Sequence, residues 1–150
     1  MINKIDRNKK SRFFYSPKNN PRVIVIQKLY GQYFNEDEKL SFPKHRFKKF
    51  IKDVVNGTIE RQDIINDEIS NHLTPDLDIK KLDKVFQIIV KSAIFELLYM
   101  TKISPKIIIN EYLRASNFFI EHGQTKYLNA LLDKISKKIR KFNGWILFNK

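Results

Sequence analysis

Residues 93–134 read AIFELLYMTKISPKIIINEYLRASNFFIEHGQTKYLNALLDK, and the order of helix signals in this stretch predicts the architecture. Ser104-Pro105 is a helix start: a hydroxyl able to accept from free backbone donors, then a proline preset for the first turn. Ile108, Tyr112, Ala115 and Phe119 follow at steps of three and four, one stripe facing a core. Gly123 is read as the stop of this helix, because glycine tolerates the left-handed conformation that ends many helices. A further helix is expected from about 125 to 140, with Tyr127, Leu131 or Leu132, Ile135 and Ile139 inward. Upstream, Leu82, Val85, Phe86, Ile89, Val90, Ala93, Ile94, Leu97 and Leu98 mark a longer helix that is apolar nearly all round, the pattern of a central element.

Three blocks in this region resemble the C-terminal signature of the NusB family of bacterial transcription antitermination factors. Ala93-Ile94-Phe95-Glu96-Leu97 is similar to A-hydrophobic-Y-E-L, and Lys106-Ile107-Ile108-Ile109-Asn110-Glu111 to K-V-x-I-N-E. Tyr127-Leu128-Asn129-Ala130-Leu131-Leu132-Asp133-Lys134 is similar to F-V-N-G-V-L-D-K, and the blocks align without gaps. The segment from Arg22 to Tyr30 also resembles the family's first helix, R-E-x-A-x-Q-A-L-Y. The departures are Phe86-Gln87 where the family has D-R, leaving apolar packing there, and Ala130 for a glycine, which would widen a helix approach.

The chain has 150 residues, enough for one domain or two small subdomains sharing a core. It has no cysteine, which excludes disulfides, thiol catalysis and zinc–thiolate sites. No apolar run approaches the roughly 20 residues that cross a bilayer, and no apolar segment follows the basic N-terminus as in a secretory signal; a cytoplasmic protein with no membrane partner is expected. The formal net charge of +13, from 29 basic and 16 acidic residues, favours a polyanionic partner. A bias toward Lys, Ile and Asn accounts for part of the excess without function. The distribution is uneven. Lys4, Arg7, Lys9, Lys10, Arg12, Lys18 and Arg22 face only Asp6 in the first 22 residues. Lys134, Lys137, Lys138, Arg140 and Lys141 form a second cluster without acids.

Residues 1–20 lack apolar periodicity and are read as a flexible basic N-terminal arm. Phe13-Phe14-Tyr15 within it reads first as a hook onto the domain and second as a platform for unpaired bases. Residues 21–142 form the helical domain and 143–150 an apolar C-terminal tail carrying Trp145, Ile146, Leu147 and Phe148. Pro21 opens a helix to about residue 35, with Val25, Leu29 and Tyr33 on one stripe and Ile26, Tyr30 and Phe34 beside it. A helix from about 44 to 56 presents Phe47, Phe50, Ile51, Val54 and Val55 and ends at Gly57. Thr58 would cap the next, with Ile65, Ile69 and Leu73 inward and Thr74-Pro75 as its end. No strand is expected, and the fold class is all-α, a NusB-like bundle of two small helical subdomains packed together.

No catalytic constellation emerges. His45, His72 and His122 are scattered, no phosphate-binding glycine motif is present, and no metal or cofactor site is expected. Glu96, Glu111 and Asp133 have quieter roles: an ion pair, a favourable place near a helix start, and pairing with basic residues on the same helix. Asn110 and Asn129, disfavoured inside helices, are read as buried amides joining neighbouring helices.

The resemblance implies a factor that binds boxA-type single-stranded RNA of rRNA leader transcripts. It would act with the ribosomal protein NusE and deliver both to RNA polymerase and other Nus factors. The family's arginine cluster is thinned here to Lys18-Asn19-Asn20-Pro21-Arg22, and lysine lacks arginine's bidentate and stacking contacts. The RNA-binding set is therefore taken as Arg7, Lys9, Lys10, Arg12, Lys18 and Arg22, helped by the positive start of the first helix. Tyr30 and Glu96 match the family's partner surface; their internal alternatives are core packing and an intramolecular ion pair. Two other readings stand. One is a protein–protein adaptor with weakened RNA binding. The other is the NusB-like domain that precedes an rRNA cytosine methyltransferase, against which stand the length, the initial Met1 and the apolar tail. Homodimerisation is left open.

Overall fold

The computed structural model describes residues 18–73 and 79–148, side chains of 141–148 excepted. Six α-helices and one 3-10 turn follow one another: α1 Pro21–Phe34, α2 Lys48–Glu60, α3 Gln62–His72, the turn Ile79–Lys81, α4 Lys84–Tyr99, α5 Pro105–Ser116 and α6 His122–Phe148. No strand occurs among the described residues. The all-α expectation holds, as do both proline-led helix starts. Asn20 accepts from the N–H groups of Arg22 and Val23 at 3.0 and 3.3 Å, and Ser104 accepts from Ile107 N–H at 3.2 Å.

The apolar helix near the middle of the chain is the hub. α4 packs against all five other helices and buries every residue from Phe86 to Leu97 except the half-buried Lys91. An N-terminal group, α1–α3, and a C-terminal group, α4–α6, meet on it. Their apolar faces join in one core that includes Val25, Ile51, Ile69, Ile89, Tyr112 and Leu132. Apolar area removed from water stabilises by roughly 25 cal/mol per Å², so a helix buried on almost every side dominates the packing. Arg140 secures its C-terminus. The guanidinium donates from Nε to the Leu97 carbonyl at 2.7 Å and from its other nitrogens to the carbonyls of Met100 and Thr101 at 3.2 and 3.3 Å. These groups have no partners within the helix, and a cation there also opposes the negative end of the helix dipole.

Several boundaries differ from the sequence reading. α2 does not end at Gly57 but runs through it to Glu60, and Thr58 caps nothing: its hydroxyl donates to the Val54 carbonyl at 2.7 Å. Gly57 is required instead by packing, since a Cβ there would overlap the Phe95 ring of α4. Phe47 precedes the helix and is exposed. Gly123 lies in the first turn of α6, while α5 stops at Ser116 through turn-forming bonds from Phe119 and Ile120 N–H to the Ser116 carbonyl. α6 continues to Phe148, so its backbone stays helical beyond residue 142. Ala130 is exposed, with no close helix approach to widen. Gln87 is more than an apolar substitute: its amide donates to the Leu82 carbonyl at 2.8 Å, beside Phe86 stacked on Tyr127. Thr74-Pro75 lies outside the described residues.

Alanine is favoured over glycine inside a helix by about 1 kcal/mol, but overpacking a dense core costs about 1–3 kcal/mol. The Phe95 ring is itself buried, so Gly57→Ala is expected to lower the melting temperature by roughly 2–8 °C. In a Phe95→Leu background the same change should become neutral or stabilising. Thermal denaturation followed by circular dichroism on the four proteins checks both signs.

Candidate nucleic-acid and partner interface

The described part of the N-terminal arm is anchored where it enters α1. His45 Nδ1 accepts the Phe47 N–H at 2.9 Å, which leaves Nε2 as the donor to the Lys18 carbonyl, also at 2.9 Å. The Lys18 side chain is exposed. Asn20 is buried as the helix cap, so the entry of the chain into α1 is held on two sides. Nothing in the sequence marked His45 for this role, because its partner is a backbone carbonyl 27 residues away.

Arg22 turns inward. Its Nε and NH2 donate to the two carboxylate oxygens of Glu96 at 3.0 and 2.6 Å, a bidentate pair whose side chains are 9% and 0% exposed. The guanidinium lies 4.8 Å from the Phe50 ring centre and 5.5 Å from that of Tyr112, both within cation–π range. Tyr112 is fully buried with its hydroxyl beside Glu96 and Ser92 but without a well-formed hydrogen bond. Burial raises the Tyr112 pKa well above its ordinary value, so the hydroxyl is neutral. Burial also pushes the Glu96 carboxyl upward, with Arg22 pulling against it. For Arg22, burial acts to lower the pKa, but the facing carboxylate outweighs it and the net direction is up.

These contacts redistribute the expected site. Arg22 and Glu96, assigned to RNA and to a protein partner, are brought together across 74 residues of chain and engage each other. The intramolecular reading of Glu96 is the one the geometry supports. The helix start also offers little to a phosphate: Pro21 has no N–H, the donors of Arg22 and Val23 go to the Asn20 side chain, and that of Ile24 to the Asn20 carbonyl. Arg7, Lys9, Lys10 and Arg12 lie outside the described residues, as does Phe13-Phe14-Tyr15.

Tyr30 is 40% exposed, on the solvent side of α1 rather than in the core. It makes an edge contact with Phe34, which in turn meets Tyr33, both of them exposed. Lys84 lies 3.9 Å from the Tyr33 ring centre. The periodicity of α1 had placed Tyr33 and Phe34 in line with buried positions, but both are exposed and form, with Tyr30, an aromatic patch at the end of the helix.

The carboxylates not tied to Arg22 are ordinary surface groups. Glu111 lies mid-helix rather than near the start of α5, 3.4 Å from Arg114, and Asp133 pairs with Lys137 at 3.0 Å. No group of metal-ligating side chains occurs among the described residues, nor any helix long and apolar enough to cross a membrane. Asn110 and Asn129 are exposed, not buried, and both line a groove between α5 and α6.

A family model described as NusB family matches residues 17–137, the whole of α1 through most of α6. The chain belongs to the NusB family. This family is not one of enzymes. The transcription antitermination protein NusB of Coxiella burnetii is 32% identical over 133 residues, spanning 83% of this chain and 95% of its own length. Its counterpart from Mesorhizobium japonicum is 27% identical over 92 residues, 61% of this chain and 59% of that one. Among solved structures, T. maritima NusB superposes with a TM-score of 0.69 at 24% identity, covering 81% of this chain and 92% of that chain, and so shares the fold.

Removing one member of a buried pair strands the other charge and costs about 3–5 kcal/mol, whereas replacing both with apolar residues of similar volume is often near neutral. Arg22→Met is therefore expected to be destabilised on that scale, and Arg22→Met with Glu96→Leu to recover most of the loss. Equilibrium urea unfolding of the two variants against the parent checks the order.

Proposed function

We propose that this chain is a transcription antitermination factor that binds boxA-type single-stranded RNA together with the ribosomal protein NusE, and so supports rRNA transcription by RNA polymerase with other Nus factors. The observation that carries the reading is the family match across residues 17–137. Two features agree with it. The chain carries a net charge of +13, with the basic residues of its first 22 positions almost unopposed, the electrostatic footprint of a phosphate-binding protein. Its α1 exposes Tyr30, Tyr33 and Phe34 in one patch, and aromatic side chains are enriched at protein interfaces.

With Arg22 committed to Glu96, RNA affinity rests on Arg7, Lys9, Lys10, Arg12 and Lys18, and the partner contact on Tyr30 and its aromatic neighbours. The attraction of these cations to RNA is mainly electrostatic and salt-dependent. The domain reading follows: a basic arm over 1–20, a helical domain over 21–142, and a C-terminal tail over 143–150 whose side chains lie outside the described residues.

The inward Arg22 also favours a second reading, a protein–protein adaptor with weakened RNA binding. Fluorescence anisotropy of a labelled boxA RNA against a scrambled one, with and without NusE at two salt concentrations, separates the two. Selective binding strengthened by NusE supports antitermination; weak, unselective binding throughout supports the adaptor. Replacing Arg7, Lys9, Lys10 and Arg12 by alanine should weaken boxA binding and flatten the log–log salt slope by up to about 3, near 0.7 per lost phosphate contact on a single strand.

A further inference from the structure

Asn110 and Asn129 pose a problem once they are seen to be exposed. Asparagine is a poor helix former, and neither residue repays this by capping or by a buried bond. Both sit inside helices, α5 and α6, and neither amide has a hydrogen-bond partner among the described residues. Both open on the same groove, about 900 Å³ in volume, which is roomy enough for a nucleotide. Its walls bring three chemistries together. Pro105 and Ile109 supply apolar surface; the two asparagines supply paired donors and acceptors; Lys106, Lys137 and Arg140 supply positive charge against Asp133 alone.

The charge is only partly spent internally. Lys137 pairs with Asp133, but both are largely exposed, and such a pair is worth little and exchanges readily. Arg140 is held by carbonyls at the end of α4 and brings no counter-charge. Lys106 has no ion-pair partner among the described residues and stands in the first turn of α5, where the helix dipole adds to its field. One buried residue lies between the groove wall and the start of α1: the Glu96 side chain holds Arg22, while its carbonyl lies 3.5 Å from Arg140 NH2.

We propose that the α5–α6 groove takes one unstacked nucleotide of the bound RNA, with its base against Pro105 and Ile109, its edge read by the amides of Asn110 and Asn129, and its phosphate near Lys106. An amide offers a donor and an acceptor to one base edge, and proteins that recognise RNA sequence do so largely on splayed, single-stranded bases. The proposal rests on the RNA-binding reading above and extends it to a site remote from the arm's own residues.

The test uses the full chain with NusE and the same labelled boxA RNA. Asn110→Ala combined with Asn129→Ala changes two exposed helix positions where alanine is the better helix former, so a melting temperature at or above the parent's verifies the fold. This variant is expected to bind at least about fivefold more weakly with an unchanged salt slope, the signature of lost base contacts. Lys106→Ala should instead reduce the slope by about 0.7, one phosphate contact. Affinities of both variants within about twofold of the parent, while the arm variant loses binding, would overturn the groove and leave the RNA-binding reading standing. Variants that keep RNA affinity but lose NusE would make the groove a protein-docking face and likewise overturn it. If the parent shows no selective RNA binding, the groove proposal and the RNA-binding reading fall together.

Discussion

A carboxylate with no exposed surface sits near the end of the most buried helix of this protein, and the arrangement around it follows from that placement. Leaving Glu96 unpaired in such surroundings would cost several kcal/mol, so the chain must deliver a cation to it. Arg22 does so with both ends of its guanidinium fork, a geometry that lysine cannot supply. Because Arg22 is the second residue of α1, the pair fixes the start of that helix against α4. Phe50 from α2 and Tyr112 from α5 close over the guanidinium, so one ion pair connects four of the six helices.

The functional consequence is a division of labour along the N-terminal segment. The arginine closest to the domain is consumed as a structural bolt, and the donors at the start of α1 are satisfied by Asn20. The exposed cations lie elsewhere: at Lys18, whose carbonyl His45 holds, and on the face where α5 and α6 meet, at Lys106 and Lys137. Arg140 belongs to both tasks, since the cation that terminates α4 also borders the α5–α6 groove. At the opposite end of α1, the exposed Tyr30, Tyr33 and Phe34 offer a surface of another kind, aromatic rather than charged.

Much of this was legible in the chain. The all-α class, the two proline-led helix starts, the central place of α4 and the family resemblance each rest on short-range patterns: a period near 3.6, a cap, a turn residue. Where the reading failed, the signal was not short-range. Gly57 resembles a helix stop, yet it is glycine because the Phe95 ring occupies the space of its Cβ. Asn110 and Asn129 occupy positions that resemble buried polar links, yet they face solvent, since a helix's polar residues do not reveal whether a neighbour lies beyond them. The role of Glu96 was open between a partner and an internal cation because composition cannot tell which cation arrives.

The amino-acid sequence alone determined which segments are helical, which of them is apolar on nearly every side, and to which family the chain belongs, because these properties are encoded within a few turns of one helix. Only the tertiary structure decided that Arg22 meets Glu96, that the aromatic residues at the end of α1 stay exposed, and that two asparagines share one groove. Those outcomes depend on the relative placement of helices far apart in the chain, which is settled by how all the apolar faces pack at once rather than by any local pattern.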